Sequence, residues 1–455
     1  MPPMNTSSSI TRRDMLRLTS CGFGYLALAA LSQTALGKEA YRNPLAPRTP
    51  HFPARAKRVI FMFMQGGPSH LDTFDYRPEL IRAAARQGGG KQKLLAPQFA
   101  FTPRGRSGLM ISELFPHLGE HADDLCLLNG MHTSSPAHPQ ATIMAHTGST
   151  NFVRPSMGAW ITYGLGTVNQ DLPGFVTIHP SANVGGAQNY GSAFLPAAYQ
   201  GTRLGVGADT LRDIRNPELS SALQRRQLDL VQAMNHDLLD RAGANPEIEG
   251  VIESYELAYR MQTAVPGAMD FSLEPESVRR LYGLDNKVTE NFGTQCLMAR
   301  RLVENGVRFI QLTHGGWDQH NNLRARLSAN CEATDQPIAA LLTDLKRRGL
   351  FEDTLLVWGG EFGRSPDGQN EDGRRHNNRG YTMWMAGGGV RGGIRFGATD
   401  DLGGTAVQDT MHIHDLHATI LHLLGLDHER LTYRYAGRDF RLTDVAGHVA
   451  RGILA

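Results

Sequence analysis

The stretch that decides the fold is LLVWGGEFGRSP, residues 355–366, in which an apolar run stops on two glycines, a glutamate and an arginine. Its four consecutive apolar residues, 355–358, predict a strand that is buried on both faces, as at the centre of a parallel sheet. The residues that follow then form the loop at the carboxyl end of this strand. Because ligands bind at that edge of open α/β sheets, Glu361 and Arg364 are candidate functional residues.

Similar apolar runs recur along the chain and alternate with helical patterns. Further strands are predicted at 58–64, 125–130, 307–312 and 381–386, and helices at about 114–123, 294–305, 337–348 and 414–424. This alternation predicts an α/β fold, with a mostly parallel, doubly wound sheet and helices on both faces, in one domain over residues 55–450. Residues 38–54 are rich in proline and predict an extended lead-in.

The stretch from 209 to 290 differs in character, because its apolar residues recur at helical spacing. Those of its first half share one helical face: Leu223, Leu230, Met234 and Leu238. Since strands and helices alternate again after residue 290, this stretch is predicted to be a helical insertion that covers the domain. The chain shows no repeat of 20 to 50 residues, which excludes solenoids and propellers.

The amino end has the three parts of an export signal. Arg12 and Arg13 are followed by an apolar run centred on residues 23–31 and then by small residues up to Gly37. The run is too short to span a bilayer, so residues 1–37 are predicted to be a twin-arginine export signal that is removed from the mature protein. The expected location is periplasmic or extracellular, with the twin-arginine export machinery as a partner and no transmembrane span in the mature chain.

Composition excludes some classes of partner. The 455 residues include 46 basic and 44 acidic residues, and the excess lies in residues 1–37, which leaves 43 of each sign in the remainder. This balance gives no reason to expect nucleic acid as a partner. Cys126, Cys296 and Cys331 are odd in number and widely spaced, so they predict buried thiols instead of a disulfide framework.

Ligand-type side chains collect where the predicted strands end. Six of them are candidate metal ligands at one sheet edge: His70, Asp72, Asp318, His320, Glu361 and His376. Histidine and carboxylate together suit zinc, manganese or iron, whereas oxygen ligands alone suit calcium or magnesium. A divalent metal, with zinc, manganese and calcium as the candidates, would activate water and neutralise charge on a phosphoryl or sulfuryl oxygen. Arg364 is the candidate to hold such an anion by paired hydrogen bonds.

Each of these residues also has a simpler explanation when it is taken alone. Asp72 can cap a helix or a turn, Glu361 can pair with Arg364, and His376 can be an exposed loop histidine. The glycine loop around Trp317 can be a turn that needs no metal. The combination is more specific, because several strand ends would each have to offer ligands by accident.

Longer motifs extend this pattern over most of the mature chain. They include FMQGGPSHLDTFD (63–75), GGWDQHNN (315–322), GGEFGRSP (359–366) and HDLHATILHLLGLDHERLTYRYAGRDFRLTD (414–444). Together they resemble exported, sulfatase-like bacterial proteins of the domain of unknown function 1501 family. That family is similar to the alkaline phosphatase and sulfatase superfamily, whose members hydrolyse phosphate or sulfate esters at a metal site. The resemblance implies an alkaline phosphatase-like fold.

The resemblance carries over only in part to the metal ligands. Sulfatases have a metal-binding Asp-Asp pair after the first strand, where this chain has glutamine and glycine, which leaves His70 and Asp72 as substitutes. Glu361 stands in the place of a ligand aspartate. Asp318 with His320 resembles the superfamily's Asp and His pair after the preceding strand, and His376 resembles the later histidine ligand.

The sulfatase nucleophile is not recognisable. Sulfatases place a cysteine, which becomes formylglycine, before a Thr-Gly pair that resembles Thr147-Gly148 here. Counting back from that pair puts His138 in the place of the cysteine, so this chain cannot make formylglycine there.

The leading hypothesis is an exported, metal-dependent hydrolase that acts on phosphate or sulfate esters of small molecules or glycans. Either His138 attacks as a covalent nucleophile, or a metal-bound water attacks and His138 is a base or a ligand; the second route needs fewer missing parts. The alternative is a catalytically inactive protein that binds anionic glycans at the same edge, and a third hypothesis is a structural component of the cell envelope.

Overall fold

The computed structural model describes residues 41, 43–87, 93–206, 218–243, 245–370 and 372–455, so the predicted export signal lies outside the described residues. The strands are β1 (Arg58–Met64), β2 (Phe101–Arg104), β3 (Leu109–Ser112), β4 (Leu125–His132), β5 (Phe175–Ile178), β6 (Thr202–Leu204), β7 (Phe309–His314), β8 (Thr354–Gly359), β9 (Gly363–Gln369), β10 (Gly373–Asn377), β11 (Tyr381–Ala386), β12 (Ile394–Phe396), β13 (Ala398–Thr399), β14 (Ala406–Gln408), β15 (Met411–His412), β16 (Tyr433–Tyr435) and β17 (Arg438–Phe440). The α-helices are α1 (His70–Thr73), α2 (Pro78–Arg86), α3 (His138–Thr147), α4 (Met157–Leu165), α5 (Ser221–Ala242), α6 (Pro246–Ala268), α7 (Glu276–Leu281), α8 (Glu290–Glu304), α9 (Leu323–Arg347) and α10 (Ile413–Leu423).

A nine-stranded sheet forms the centre of the described structure. Its order is β12-β4-β11-β8-β1-β7-β5-β6, with β15 added beside β4. Neighbouring strands are parallel except at β11, which is antiparallel to both β4 and β8. The predicted α/β fold with a mostly parallel sheet is confirmed, and the five predicted strands all belong to this sheet. The direction of β11 was not predicted; it follows because the chain between β8 and β11 forms a hairpin and contains no crossover helix, which a parallel connection would need.

Both faces of the sheet are covered, which explains the uninterrupted apolar runs. All residues of β8 are buried. On one face, Phe61 and Phe63 contact the His146 ring of α3. On the other face, the Trp358 ring stacks 6.0 Å from that of Trp384 and meets Phe74 edge-on. Alternate residues of central strands therefore pack into separate layers.

The observed helices differ from the predicted ones mainly at their ends. Helix α9 begins at Leu323 and contains Pro337, although a helix was predicted to start at this proline because proline favours the first turn. The helix expected at about 114–123 is a 3-10 helix, Leu118–Asp124. The three described cysteines are buried free thiols, as predicted. In the described part of the chain, no helix has both the length and the apolar character needed to cross a membrane.

The helical stretch before α8 places its apolar stripe outward. Helices α5 and α6 form a hairpin in which Gln232 donates a hydrogen bond to the carbonyl of Ile252 at 2.8 Å. The four apolar residues that share one face of α5 are exposed. This stripe therefore does not cover the domain as the sequence pattern suggested, and α5 contacts α6 through its other side.

Buried neutral histidines predict that the fold is sensitive to acid. Burial lowers the pKa of His146 to about 4 and that of His417 to about 3. Because the unfolded chain binds these protons near pH 6.5, the stabilisation is complete above that pH and is lost as the pH falls toward the folded values. We expect urea unfolding to show about 1 kcal/mol less stability from each histidine at pH 5.5 than at pH 7.5.

The matched variant is His146→Leu, because the ring lies between Phe61 and Phe63 in an apolar setting. The variant is expected to lose about half of this pH dependence while it keeps most of the stability at pH 7.5. An unchanged pH dependence in His146→Leu would contradict the assignment.

Candidate metal centre

Parallel strands deliver the candidate residues to one sheet edge. Strands β1, β7 and β8 run side by side in the same direction, so the loops after them meet. The loop after β7 carries Asp318 and His320, and the loop after β8 carries Glu361. Strand β4 also runs in this direction, and the chain beyond it reaches His138, the first residue of α3.

A hairpin brings the remaining histidine to the same place. Strands β9 and β10 pair antiparallel, with His376 opposite Arg364. The register shifts between Arg374 and His376, as at a β-bulge, and bulges commonly redirect a side chain. The His376 ring consequently lies 4.4 Å from the ring of His138, centroid to centroid.

Three imidazoles converge on a single carboxylate oxygen. The Oδ1 atom of Asp318 lies 3.3 Å from Nε2 of His138, 3.0 Å from Nε2 of His320 and 3.3 Å from Nε2 of His376. The same oxygen accepts a hydrogen bond from Arg364 Nη2 at 2.6 Å. We call His138, Asp318, His320 and His376 the histidine cluster.

Each imidazole in the histidine cluster is oriented through its other nitrogen. The Nδ1 atom of His138 donates to Glu361 Oε1 at 2.6 Å, and that of His376 donates to the Pro136 carbonyl at 2.7 Å. The Nδ1 atom of His320 lies 2.7 Å from Gln369 Oε1. Metal-binding histidines characteristically use this arrangement, in which an acceptor fixes the tautomer and leaves the Nε2 lone pair free.

The spacing of the Nε2 atoms favours a cation between them. Those of His320 and His376 are 2.9 Å apart, although both rings have committed their Nδ1 protons elsewhere. Two lone pairs at this distance repel unless a proton or a metal ion lies between them. The buried Nε2 atom of His138 lies 3.3 Å from Asp318 Oδ1 and has no other polar partner among the described residues outside the cluster.

The dimensions of the histidine cluster fit a first-row divalent metal. His138, Asp318 and His376 offer ligand atoms that all lie within 4.8 Å of one another. Ligands at ~2.0–2.1 Å from a tetrahedral ion are separated by ~3.3 Å, which matches the distances from Asp318 to His138 and His376. The residues present therefore fit a metal of the zinc or manganese type, for which imidazole and carboxylate are suitable ligands.

The electrostatics of the cluster hold opposite charges in contact. Burial would lower the pKa of His138, but interactions with Asp318 and Glu361 outweigh it and raise the pKa to about 9. Burial would raise the pKa of Asp318, but the neighbouring His138, His376 and Arg364 together hold it well below its usual range. A metal ion would take over the role of the proton that these groups share.

Glu361 lies one step behind the histidine cluster. Its carboxylate is fully buried and accepts the Gly66 backbone N–H at 3.0 and 3.1 Å, in addition to the proton of His138 Nδ1. The carboxylate forms no ion pair with Arg364, which was the simpler alternative for this residue. The sequence predicted a metal ligand at Glu361, and the structure places its carboxylate against the Gly66 N–H and His138 Nδ1, behind the histidine cluster.

Gly66 makes this contact geometrically feasible. Its φ is +120°, and a Cβ atom on it would lie 2.5 Å from the backbone nitrogen of Asp318. Only glycine tolerates both conditions. The turn after β1 can therefore touch the loops after β7 and β8 at once.

Arg364 is also placed behind the cluster. Its guanidinium is fully buried and donates to the carbonyls of Gly66 and Gly67 as well as to Asp318. Further bonds reach the carbonyls of Trp317 and Arg374. Because its N–H donors are directed to these protein groups, Arg364 cannot contact an anion from this position. The anion contact that was predicted for Arg364 therefore does not fit the structure.

His70 and Asp72 do not join the histidine cluster. His70 is buried, donates from Nε2 to the Gly403 carbonyl at 3.0 Å and accepts the Arg364 N–H at Nδ1. Burial lowers the pKa of His70. Asp72 forms a fully buried ion pair with Arg374 at 2.8 Å. Both residues support the loops after β1 and β8 and lie apart from the convergent ring nitrogens.

Two groups in the site carried no recognisable sequence signal. Gln369 and the carbonyl of Pro136 orient imidazoles, but nothing in the local sequence marks an amide or a backbone carbonyl for this role. His138 had a weak signal, its place at the sulfatase cysteine when counted back from Thr147-Gly148, and it is the first residue of α3.

Replacing Glu361 by glutamine separates an orienting residue from a ligand. If Glu361 orients His138, Glu361→Gln should weaken zinc or cobalt binding by about 10- to 100-fold, since the amide oxygen still accepts one of the two hydrogen bonds. Titration against a chromophoric chelator measures this change. The visible spectrum of the cobalt-loaded variant should keep the shape of the parent spectrum, because the ligand atoms are the same.

The exposed Glu352→Gln is a matched control that should leave metal binding unchanged. Metal loss in Glu361→Gln that is as complete as the loss after removal of Asp318 would instead make Glu361 a ligand.

Comparison with known proteins places the chain in a family. A family described as "Protein of unknown function (DUF1501)" matches residues 56–454. The chain belongs to this family. No curated protein matches it.

Solved structures similar to this DUF1501 member include three bacterial proteins. A lipoteichoic acid synthase, LtaP from Listeria monocytogenes, is 11% identical with a TM-score of 0.40, covering 89% of this chain and 80% of its own. A sulfatase from Pseudoalteromonas sp. is 12% identical with a TM-score of 0.36, and the match covers 89% of this chain and 71% of the sulfatase. An alkaline phosphatase from the Antarctic bacterium TAB5 is 10% identical with a TM-score of 0.35, and the match covers 82% of this chain and 99% of the phosphatase.

Proposed function

We propose that this chain is an exported, metal-dependent hydrolase of phosphate or sulfate esters. The observation that carries the proposal is the histidine cluster, in which three imidazole Nε2 atoms converge on Asp318 Oδ1 while their Nδ1 atoms are held by outer acceptors. A divalent metal held there would lower the pKa of bound water and neutralise charge on the ester oxygens. His138, Asp318, His320 and His376 are the proposed ligands.

The chain's own residues orient this centre and supply polarity. Glu361 keeps the His138 ring turned so that Nε2 faces Asp318, and Arg364 fixes Asp318 by a buried hydrogen bond. Helix α3 begins at His138 and its N-cap residue makes no side-chain capping bond. The backbone N–H groups of His138 and Gln140 in its first turn can hold the ester anion beside the metal, although Pro139 between them has none, which is the role that Arg364 is too deeply buried to perform.

This arrangement supports the route in which His138 is a metal ligand over the route in which it is a nucleophile. A histidine that attacks an ester needs a free lone pair directed at open space. The Nε2 atom of His138 is buried and directed at Asp318 and His376. The nucleophile is accordingly proposed to be water.

Hydrolysis of simple aryl esters tests the proposed function. The purified chain is stripped with a chelator, reloaded with zinc or manganese, and assayed with p-nitrophenyl phosphate and p-nitrophenyl sulfate. We expect metal-dependent turnover of at least one ester and its loss in His376→Ala. The matched control is His448→Ala, because the His448 side chain is 94% exposed. Tight metal binding without turnover of either ester would overturn the hydrolase and favour the glycan-binding alternative.

Export by the twin-arginine route is a separate part of the proposal and rests on Arg12, Arg13 and the apolar run that follows. Replacing both arginines with lysine should leave the protein in the cytoplasm, because twin-arginine signals depend on that pair. Cell fractionation measures the distribution. Normal export of the double variant would point to another route, and so would an exported protein that still begins at Met1.

A further inference from the structure

Helix α5 carries an apolar stripe that faces solvent. Leu223, Leu230, Met234 and Leu238 are 50%, 65%, 66% and 47% exposed. Their spacings of seven, four and four residues place them on one side of a 22-residue helix. We call these four residues the outer stripe. Contiguous exposed apolar surface of this kind marks an interaction site more often than an ordinary surface.

The inner side of α5 is more polar than the outer stripe. Gln232 is buried against α6 and donates to the Ile252 carbonyl, and Arg225 forms two hydrogen bonds of 2.9 Å with Glu256. An amphipathic helix normally turns its apolar side toward its own domain. Here the buried side of α5 is mixed, with Gln232 beside Leu239, and none of the residues that the structure describes covers the outer stripe.

We propose that the outer stripe is a dimer interface, in which α5 packs antiparallel against α5 of a second copy of this chain. The α5–α6 hairpin is half of a four-helix bundle, and a second hairpin completes the bundle. A two-fold axis places the same surface on both sides, so the surface must be complementary to itself.

The charges on α5 satisfy this self-complementarity. Arg226 and Asp237 lie on the same side as the outer stripe, four residues before Leu230 and three after Met234. An antiparallel pair centred between residues 231 and 232 sets Arg226 of one copy beside Asp237 of the other, and the axis creates this pair twice. The same register brings Leu230 of one copy to within one residue of the position opposite Met234 of the other. A parallel pair would instead oppose like charges.

A groove beside the outer stripe gives the second copy a place to pack. It has a volume of about 250 Å³ and lies between α5 and α6, lined by Leu228, Val231, Tyr255 and Ala258 among others. Apolar side chains of the opposite stripe can enter it, as knobs enter holes in helix bundles. The dimer would therefore bury both the stripe and this groove.

Sedimentation equilibrium of the full chain tests the proposal. We expect a dimer at about 10 µM, and at least a 100-fold rise of the dimer dissociation constant in Leu230→Asp/Met234→Asp, since each change occurs twice in the interface. The matched control Leu273→Asp changes a leucine that is 75% exposed outside the stripe and should leave the dimer intact. An unchanged far-UV circular dichroism spectrum of the double variant would show that its hairpin is still folded.

A charge exchange tests the register. Arg226→Glu should weaken the dimer, and Arg226→Glu/Asp237→Arg should restore it, because the exchange re-forms both ion pairs. A parent chain that is monomeric at 100 µM would overturn the proposal, as would a dimer insensitive to the double aspartate variant. A monomer that binds lipid vesicles through the outer stripe would assign this face to a membrane surface and equally overturn the dimer.

Discussion

Asp318→Asn is expected to remove the metal from this protein almost completely. The Asp318 carboxylate is the anion on which all three imidazoles of the histidine cluster converge, and asparagine keeps its shape while it removes the charge. Changing a residue that only orients a ligand costs about 10- to 100-fold in metal affinity, so loss of the central ligand should exceed 100-fold. Competition titration with a chromophoric chelator measures the affinity, and ester turnover should disappear with the metal.

The fold should survive this substitution, because Arg364 keeps its bonds to the carbonyls of Gly66 and Gly67. Asp353→Asn is the matched control, since its carboxylate pairs with Lys57 at the surface. The control should bind metal like the parent. An Asp318→Asn variant that holds metal as tightly as the control would show that the carboxylate is not a ligand.

Removing the guanidinium of Arg374 is expected to destabilise the fold by about 3–5 kcal/mol without removing the metal ligands. Arg374 and Asp72 form an ion pair with both side chains fully buried. In Arg374→Ala the Asp72 charge stays buried with only Ser69 and the Gln98 backbone N–H as partners, which compensates it poorly. Urea unfolding of the metal-loaded variant measures the loss.

An exposed ion pair provides the comparison for Arg374. Arg434 lies 3.3 Å from Asp439 with both side chains largely exposed, so Arg434→Ala should cost less than about 1 kcal/mol. Equal losses in the two variants would contradict the buried pair. If folded Arg374→Ala bound no metal, Asp72 and its surroundings would have to belong to the metal site after all.

The sequence predicted the location of the candidate site better than its internal arrangement. The apolar run of β8 identified a central strand, and the rule that parallel strands present ligands at their carboxyl ends brought Asp318, His320 and His376 to one place. These three residues are in the histidine cluster. The prediction of Asp318 and His320 needed only the direction of the strand before them, whereas His376 reaches the cluster through the β9–β10 hairpin.

The exchange of roles between Glu361 and His138 was beyond the sequence. The backbone N–H of Gly66 donates to the Glu361 carboxylate. This contact decides that the His138 ring, and not the Glu361 carboxylate, lies next to Asp318. That contact joins residues 295 positions apart. The pairing of Asp72 with Arg374, 302 positions apart, is similarly invisible in local patterns. Long-range contacts between loops decide such roles, whereas periodicity reports only local structure.

The direction in which the apolar stripe of α5 points could not be predicted from local sequence either. Its helical spacing was recognisable, and the helix exists. Periodicity identifies an apolar face but not the surface that covers it. The polar contacts of Gln232 and Arg225 with α6 decided the direction in which that face points.

X-ray diffraction at a metal absorption edge is the most direct test of the central claim, that the histidine cluster is a metal centre. Crystals of the protein purified without chelator and grown with zinc are measured above and below the zinc edge. We predict one anomalous peak about 2.0–2.3 Å from Nε2 of His138, His320 and His376 and from the Asp318 carboxylate. A cluster without a peak under these conditions would contradict the claim, and so would a peak bound by Glu361 and His70.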